Sequence, residues 1–339
     1  MVPAEVTLLE RSLGVADTKA LAVAADLGVA DALGRGSSTA AELAASLAVD
    51  ADALDRLLRF LVGRGIFGRA RDGRYRNNKA SMLLRTGDEG SVRAWARFFG
   101  ADWHVAIWNR LDHAVATGDS AAVAALGNEF WDHLTNVDPE AGQVFDDAME
   151  AVSRVQQAIV ATKYDWPTSA RVCDVGGGTG TLLAAILAAN PECSGVLFDL
   201  PAVVAKSGPV LDRAGVQGRV EVIGGSFFDS VPAGCDRYVL QSIVHDWDDD
   251  SCVRFLGVCR DALAPGGRVL VLEQTMPPHD GDHIVKAIDL EMLVDTGKGR
   301  ERTKEQFSAL FARAGLRVRK VVPIAITSLY ELEPVARKA

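Results

Sequence analysis

The stretch Arg171-Val172-Cys173-Asp174-Val175-Gly176-Gly177-Gly178-Thr179-Gly180, followed by Thr181 to Ala189, decides the fold. Its opening residues read as a buried strand, its closing ones as an apolar helix, and the glycines as the tight turn between them. A strand, a glycine turn and a helix N-terminus make a backbone cradle for a ligand. Glycine suits such a turn because a Cβ would hold the ligand away. With Gly176 and Gly178 as the first two glycines of a dinucleotide fingerprint, the third falls on Thr181, so the fingerprint fails. No Gly-Lys-Ser/Thr follows, which excludes a P-loop.

An acid, Asp174, lies in the turn region instead. A carboxylate is a poor neighbour for phosphates and suits a cationic amino-acid end. The next strand, Gly195 to Phe198, ends at Asp199, where a carboxylate can accept both ribose hydroxyls. A nucleoside with a positively charged tail and no phosphate is S-adenosylmethionine. Further strands are expected at 219–223, 237–243 and 268–273, with a helix from Asp248 to Leu263 and a turn at Pro265-Gly266-Gly267. A helix at 304–314 and two runs, 316–322 and 326–333, complete the pattern. The class is α/β: a Rossmann-like doubly wound sheet of five parallel strands closed by an antiparallel C-terminal hairpin. Such sheets bind ligands at the strand C-terminal edge.

Upstream of about residue 170 the texture is helical. Val6, Leu9 and Leu13 share one face of a first helix, and Lys19 to Leu33 is Ala-rich with apolar spacings of three and four. Thr39 and Glu42 form a capping box, and Leu54, Leu57, Leu58 and Leu61 line a helix starting at Asp52 and ended by Gly63 and Gly65. Ile66 to Gly68 and Gly73 to Tyr75 read as a small hairpin turning at Asp72-Gly73. Helix, helix and hairpin make a winged-helix pattern. Arg64, Arg69, Arg71, Arg74, Arg76 and Lys79 surround the wing, but residues 1–100 hold 14 basic and 12 acidic side chains, a weak footprint for phosphates. Residues 81–165 are again helical, and Trp95, Phe98, Phe99, Trp103, Trp108, Phe130 and Trp131 either fill a core or wall a flat apolar cavity. The division expected is a helical dimerisation and substrate-covering domain at 1–165 and a cofactor-binding domain at 166–339.

The 339 residues fit two domains, and the 48% apolar share excludes disorder. The net charge of −9 disfavours general nucleic-acid binding. The longest uncharged run, Val175 to Pro191, is 17 residues and Gly-rich, too short for a membrane span. The first residues, with Glu5, Glu10 and Arg11, do not read as a secretory signal. The five cysteines (173, 193, 235, 252 and 259) include no CxxC pair, so buried thiols in a reducing cytoplasm are expected. His279 and His283, with Asp280 and Asp282, fall in an ordinary polar loop.

With these residues in hand, the chain resembles the class I small-molecule O-methyltransferases that carry a winged-helix dimerisation domain. The resemblance runs nearly the whole length, through Asp174 to Gly180, Phe198-Asp199-Leu200-Pro201, Gly225-Ser226-Phe227-Phe228, His245-Asp246-Trp247, Pro265-Gly266-Gly267 and Glu301-Arg302-Thr303. It is most similar to bacterial enzymes that methylate phenolic aromatic polyketides such as hydroxynaphthoic acids. The resemblance implies a homodimer and a small phenolic aromatic substrate, with no metal, nucleic acid or membrane partner. Carried over by position, Gly176, Gly178, Asp199, Leu200, Ser226, Phe227 and Gln241 hold S-adenosylmethionine. Ser226 stands where the family often has Asp, and Gln241, with Ser242 as the other candidate, where caffeate-type enzymes have Lys. His245 falls on the catalytic base and Glu273 and Glu301 on its acidic flanks. Met149, Phe145 and Asp246 fall where the substrate pocket lies, with Met149 ranked first; Met276 and Met292 could also line it.

The chemistry calls for that set. A phenol titrates near 10 and a histidine near 6.5, so proton transfer is uphill by about 5 kcal/mol. A carboxylate beside the imidazole raises its basicity, and a nearby sulfonium favours the phenolate. Two other readings stay open here: a relative that binds the cofactor but hydroxylates or decarboxylates, and a metabolite-sensing DNA-binding regulator.

Overall fold

Alternating burial along neighbouring strands organises the larger part of the molecule. In the computed structural model, which describes residues 3–88, 90–324 and 327–335, Cys173 and Val175 of β4 (Arg171–Val175) join one apolar core. Val172 of the same strand joins another. Along a later strand of the same sheet, Val269 and Val271 face the first core and Leu270 and Leu272 the second. Successive strand residues point to opposite faces, so both faces of this sheet are covered, as expected where parallel strands predominate. The chain divides into two compact units, Met1–Asn109 with Phe130–Ser153, and Arg110–Glu129 with Arg154–Ala339.

In the second unit, β4 is joined by β5 (Ser194–Asp199), β6 (Val220–Gly224), β7 (Cys235–Gln241), β8 (Leu263–Gln274), β9 (Leu316–Ile324) and β10 (Thr327–Pro334). The order is β6-β5-β4-β7-β8-β10-β9, parallel from β6 to β8, with β10 antiparallel to both β8 and β9. This is the doubly wound sheet with its antiparallel C-terminal hairpin. Strand order reverses between β4 and β7, the crevice where such sheets take ligands. The second expected hairpin run starts at Ile326, which lies outside the described residues; β10 is described from Thr327. Helices Asp249–Ala262 and Lys304–Arg313 cover one face, contributing Cys252, Phe255, Phe307 and Phe311 to its core. Helix Thr181–Ala189 covers the other.

The first unit holds a three-stranded sheet, β1 (Ser37–Ser38), β2 (Phe67–Arg69) and β3 (Tyr75–Asn77), in the order β1-β3-β2. The Thr39 capping box is formed: Thr39 Oγ1 accepts from the Glu42 backbone at 3.2 Å, and Glu42 Oε2 accepts from Thr39 N at 2.8 Å. The hairpin lies one to two residues later than its pattern suggests. Ala70 N donates to Arg74 O and Gly73 N to Ala70 O, so the turn absorbs residues 70–74. The Ala-rich stretch is two helices, Gly14–Asp26 and Val29–Leu33. Gly28 breaks it with a φ of 66°, although the apolar spacing runs on unbroken. Val6, Leu9 and Leu13 of the first helical segment are exposed rather than in the core. Around the wing, Arg64 pairs with Asp17, Arg69 with Asp55 and Arg74 with Glu42.

Leu58 is fully buried with Leu54, Leu61, Phe67 and Tyr75 in the first unit's core. Leu58→Ala should cost about 2–5 kcal/mol, the range for deleting a buried Leu side chain. Urea unfolding would read it, and an unchanged midpoint would contradict this packing.

Candidate active site

The glycine turn after β4 runs against the end of β5. Gly176 N and Gly177 N both donate to Phe198 O, at 2.8 and 3.3 Å, and Gly178 N donates to Asp199 Oδ2 at 2.8 Å. Asp199 Oδ1 accepts from Leu200 N at 2.6 Å, so one carboxylate is fixed by the backbone of two segments. The glycines are needed for different reasons. A Cβ on Gly176 would stand 2.5 Å from Ile243 Cδ1, at a φ of 69° that side chains avoid. A Cβ on Gly178 would meet nothing within 4 Å and would fill the open cradle itself. Both positions take a left-handed φ, 69° at Gly176 and 59° at Gly178; packing adds to the demand at Gly176 and open space for a ligand at Gly178.

Two buried polar atoms face this region without a partner, Asp174 Oδ2 and Gln241 Nε2. Burial, reinforced by the charge of Asp199, pushes the Asp174 carboxyl up to about 7. Gln157 lies within hydrogen-bond reach of both sides of the crevice. Its Nε2 donates to Thr181 Oγ1 at 2.9 Å and lies 3.5 Å from Gln241 Oε1. It escaped the sequence reading, because Gln156-Gln157 stands among other polar residues of the helix with nothing in the local pattern to single it out. Ser226 turns its hydroxyl back to accept from Phe228 N at 3.3 Å. Phe227 packs against Phe228, Trp247 and Phe255.

Beyond β7 the chain takes a left-handed step at Ser242 (φ 54°) and enters a short 3₁₀ turn, Val244–Asp246. His245 rides on that turn. Its Nδ1 lies 2.9 Å from Glu301 Oε1 and 3.9 Å from Glu273 Oε2, and its Nε2 lies 3.4 Å from Asp246 Oδ1. The two glutamates are fully buried. Glu273, near the end of β8, uses Oε1 to accept from Ile243 N at 3.0 Å and Val244 N at 2.7 Å. It thus anchors the turn as well as facing the imidazole. Among the described residues, Glu273 Oε2 and Glu301 Oε2 have no hydrogen-bond partner.

Burial opposes a charged imidazole here. The charges of Glu273 and Asp246, with the hydrogen bond and charge of Glu301, outweigh it, and the pKa of His245 is pushed well above 6.5. Burial likewise raises Glu273 to about 7 and Asp246 to about 6, against the pull of the imidazole. Ligand atoms of His245, Glu273 and Glu301 lie within 4.8 Å of one another and could surround a cation. The hydrogen bond to Nδ1 and the two backbone donors on Glu273 already use much of that capacity.

The remaining expected residues are dispersed. Phe145 and Met149 belong to the first unit, on helix Pro139–Lys163, where Phe145 meets Phe98, Phe130 and Trp131 edge-on at 5.6 Å. His283 caps helix Ile284–Thr296 by accepting from Val285 N. All five cysteines are buried thiols. Among the described residues, no helix is long and apolar enough to cross a membrane.

Comparison with known proteins shows the family. A family model described as the O-methyltransferase domain matches residues 108–317, and one described as the O-methyltransferase dimerisation domain matches residues 9–87. The 2,7-dihydroxy-5-methyl-1-naphthoate 7-O-methyltransferase of Streptomyces carzinostaticus is 38% identical over 319 residues, 94% of this chain and 95% of that protein. The mitomycin biosynthesis 6-O-methyltransferase of Streptomyces lavendulae is 36% identical over 321 residues, 94% of this chain and 91% of its own length. An O-methyltransferase from neocarzinostatin biosynthesis, solved with S-adenosylmethionine and 2-hydroxy-5-methyl naphthoic acid, superposes with a TM-score of 0.79. It is 37% identical and covers 94% of this chain and 96% of that one. The chain belongs to the O-methyltransferase family. Its cofactor is S-adenosylmethionine.

The crevice fits that cofactor. Gly178 leaves open space where a side chain would stand, and an acceptor, Asp174 Oδ2, and a donor, Gln241 Nε2, wait buried and unmet. The acid has a stability cost. Asp174 titrates near 3.8 unfolded and near 7 folded. Its favourable contribution is complete below pH 3.8 and is lost as pH rises to about 7, a linkage of roughly 4 kcal/mol. Asn, whose buried amide also goes unmet, should recover part of it. Asp174→Asn should therefore raise the cofactor-free melting temperature at pH 8 but not at pH 4. Equal effects at both pH values would mean that the carboxyl is not desolvated.

Proposed function

We propose that this chain transfers a methyl group from S-adenosylmethionine to a phenolic hydroxyl of an aromatic secondary metabolite, of the polyketide or hydroxynaphthoic-acid type. The observation that carries the reading is the His245–Glu301 hydrogen bond at 2.9 Å, beside Glu273 and across the crevice edge from the glycine turn. Relatives named as a 2,7-dihydroxy-5-methyl-1-naphthoate 7-O-methyltransferase and a mitomycin biosynthesis 6-O-methyltransferase support the substrate class.

When bound, the cofactor supplies an electrophilic methyl group on a cationic sulfur. Gly176, Gly178, Asp199, Leu200, Ser226, Phe227 and Gln241 would hold it. Asp199, at the end of β5, would accept from the ribose hydroxyls, and Phe227 offers an apolar ring for the adenine. The chain's own task is to orient the acceptor and take its proton. With Nδ1 donating to Glu301, the basic lone pair of His245 is on Nε2. Nε2 accepts the phenolic proton, and the resulting imidazolium faces Glu301, Glu273 and Asp246. The raised pKa narrows the gap to a phenol, which an unassisted histidine faces at about 5 kcal/mol.

Phe145 and Met149 are proposed to line the acceptor's pocket, and Asp246, beside Nε2, to touch its hydroxyl. Residues 1–165 are proposed as the dimerisation and substrate-covering part. Its exposed Val6, Leu9 and Leu13 face suits burial against a second copy. The cytoplasmic setting rests on the five thiols.

His245→Ala should bind S-adenosylhomocysteine within a few-fold of wild type and lose about 100-fold or more in kcat on a hydroxynaphthoic acid. Calorimetry and product detection read the two arms, and retained turnover would refute the base assignment. Because the base must be neutral, wild-type kcat should climb with pH through an acid limb above 6.5. A limb below 6.5 would contradict the carboxylate coupling.

A further inference from the structure

Among the described residues, the largest fully buried side chain is a cation, Arg302, 1% exposed. Its Nη1 donates to Val244 O at 2.9 Å and its Nη2 to Trp247 O at 2.8 Å. Those carbonyls bracket His245 and Asp246. Nε and Nη2 also reach Asp249 Oδ1, at 3.0 and 2.7 Å, and Nη2 lies 3.8 Å from Cys252 Sγ. The backbone of Arg302 meets the end of the sheet. It bridges Thr275, and its carbonyl accepts from Met276 N at 2.9 Å, just past Glu273. Two residues earlier, Arg300 N donates to His245 O at 2.7 Å. One residue earlier, Glu301 N donates to Asp289 Oδ1 at 2.8 Å. Arg302 therefore touches the three segments that carry His245, Glu273 and Glu301.

Burying a guanidinium costs several kcal/mol, and an apolar residue of similar volume is often as stabilising or more so. Its one carboxylate partner on these contacts, Asp249, is 47% exposed and so partly screened. Stability alone is a weak account of this charge. Geometry is a better one: a planar fork with five donors can fix two carbonyls and a carboxylate at once, which an ammonium on a flexible stem cannot.

We propose that Arg302 is a positioning residue that locks the 244–247 turn against the 299–302 loop and so keeps His245 Nδ1 in hydrogen-bond register with Glu301 Oε1. The proposal rests on the reading of His245 as the base, but its test does not need turnover. Three carboxyl groups face the imidazole: Asp246 from its own turn, Glu273 from β8 and Glu301 from the loop. Asp249 and Cys252 of helix Asp249–Ala262 face the guanidinium.

The experiment compares wild type, Arg302→Lys and Asp249→Asn, full length and loaded with S-adenosylhomocysteine. The side-chain titration of His245 is followed by NMR on histidine-labelled protein, with His245→Gln to assign the signal. In Arg302→Lys the His245 midpoint should fall toward 6.5, with S-adenosylhomocysteine affinity within about three-fold of wild type. On a phenolic acceptor kcat should drop about 10–100-fold, as for a catalytic group displaced by about an ångström, while KM changes little. The acid limb of the kcat profile should shift down with the NMR midpoint. Asp249→Asn, at a half-exposed site, should fold and move the midpoint the same way by less. If Arg302→Lys does not fold, Asp249→Asn decides alone. Wild-type His245 titration in the folded variants would overturn the proposal, whereas an NMR shift without turnover on any phenol would spare it and count against the proposed reaction.

Discussion

An imidazole nearly shut off from water, with two fully buried carboxylates on one of its nitrogens and a third carboxyl beside the other, is the arrangement on which the site depends. Burial alone would drive His245, Glu273 and Asp246 neutral. Together they hold a charge: His245 is pushed above its ordinary range while Glu273 and Asp246 are pushed up toward neutrality. On the proposed reading, a proton taken from an acceptor would enter a cluster already arranged to hold it. Little reorganisation is then needed when the proton moves.

The same economy operates at the glycine turn. Asp174 and Gln241 bury polar atoms that nothing among the described residues satisfies. A folded protein tolerates few such groups, and each destabilises the empty state. They are tolerable where a ligand completes them. The cradle and the basic cluster lie at neighbouring strand ends, β4 and β5 on one side and β7 and β8 on the other, because strand order reverses between β4 and β7.

Much of this was legible in the sequence. The alternation that separates Val172 from Cys173, the glycines after Val175 and the acid ending β5 all follow from local residue chemistry. The meeting of His245, Glu273 and Glu301 was implied by the family resemblance, and it is realised by the end of β8, the turn after β7 and the loop before helix Lys304–Arg313. Three things stayed hidden. Gly28 splits a helix whose apolar spacing is continuous, since periodicity records faces and not φ. Gln157 meets Thr181 and Gln241 only through tertiary packing. Arg302 stands out in a motif, yet its burial depends on carbonyls dozens of residues away.

Ser242 has a wider consequence. Its left-handed φ ends the pleat of β7, so odd and even no longer map onto the two sides of the sheet beyond it. The direction of the imidazole is set by the 3₁₀ coil and by what grips its carbonyls, not by parity along the strand. Inserting one residue into β7 would invert every side chain upstream of the insertion relative to its neighbours and still leave the bearing of the ring to the coil. The bearing of the ring and the phase of the strand are thus set by different residues.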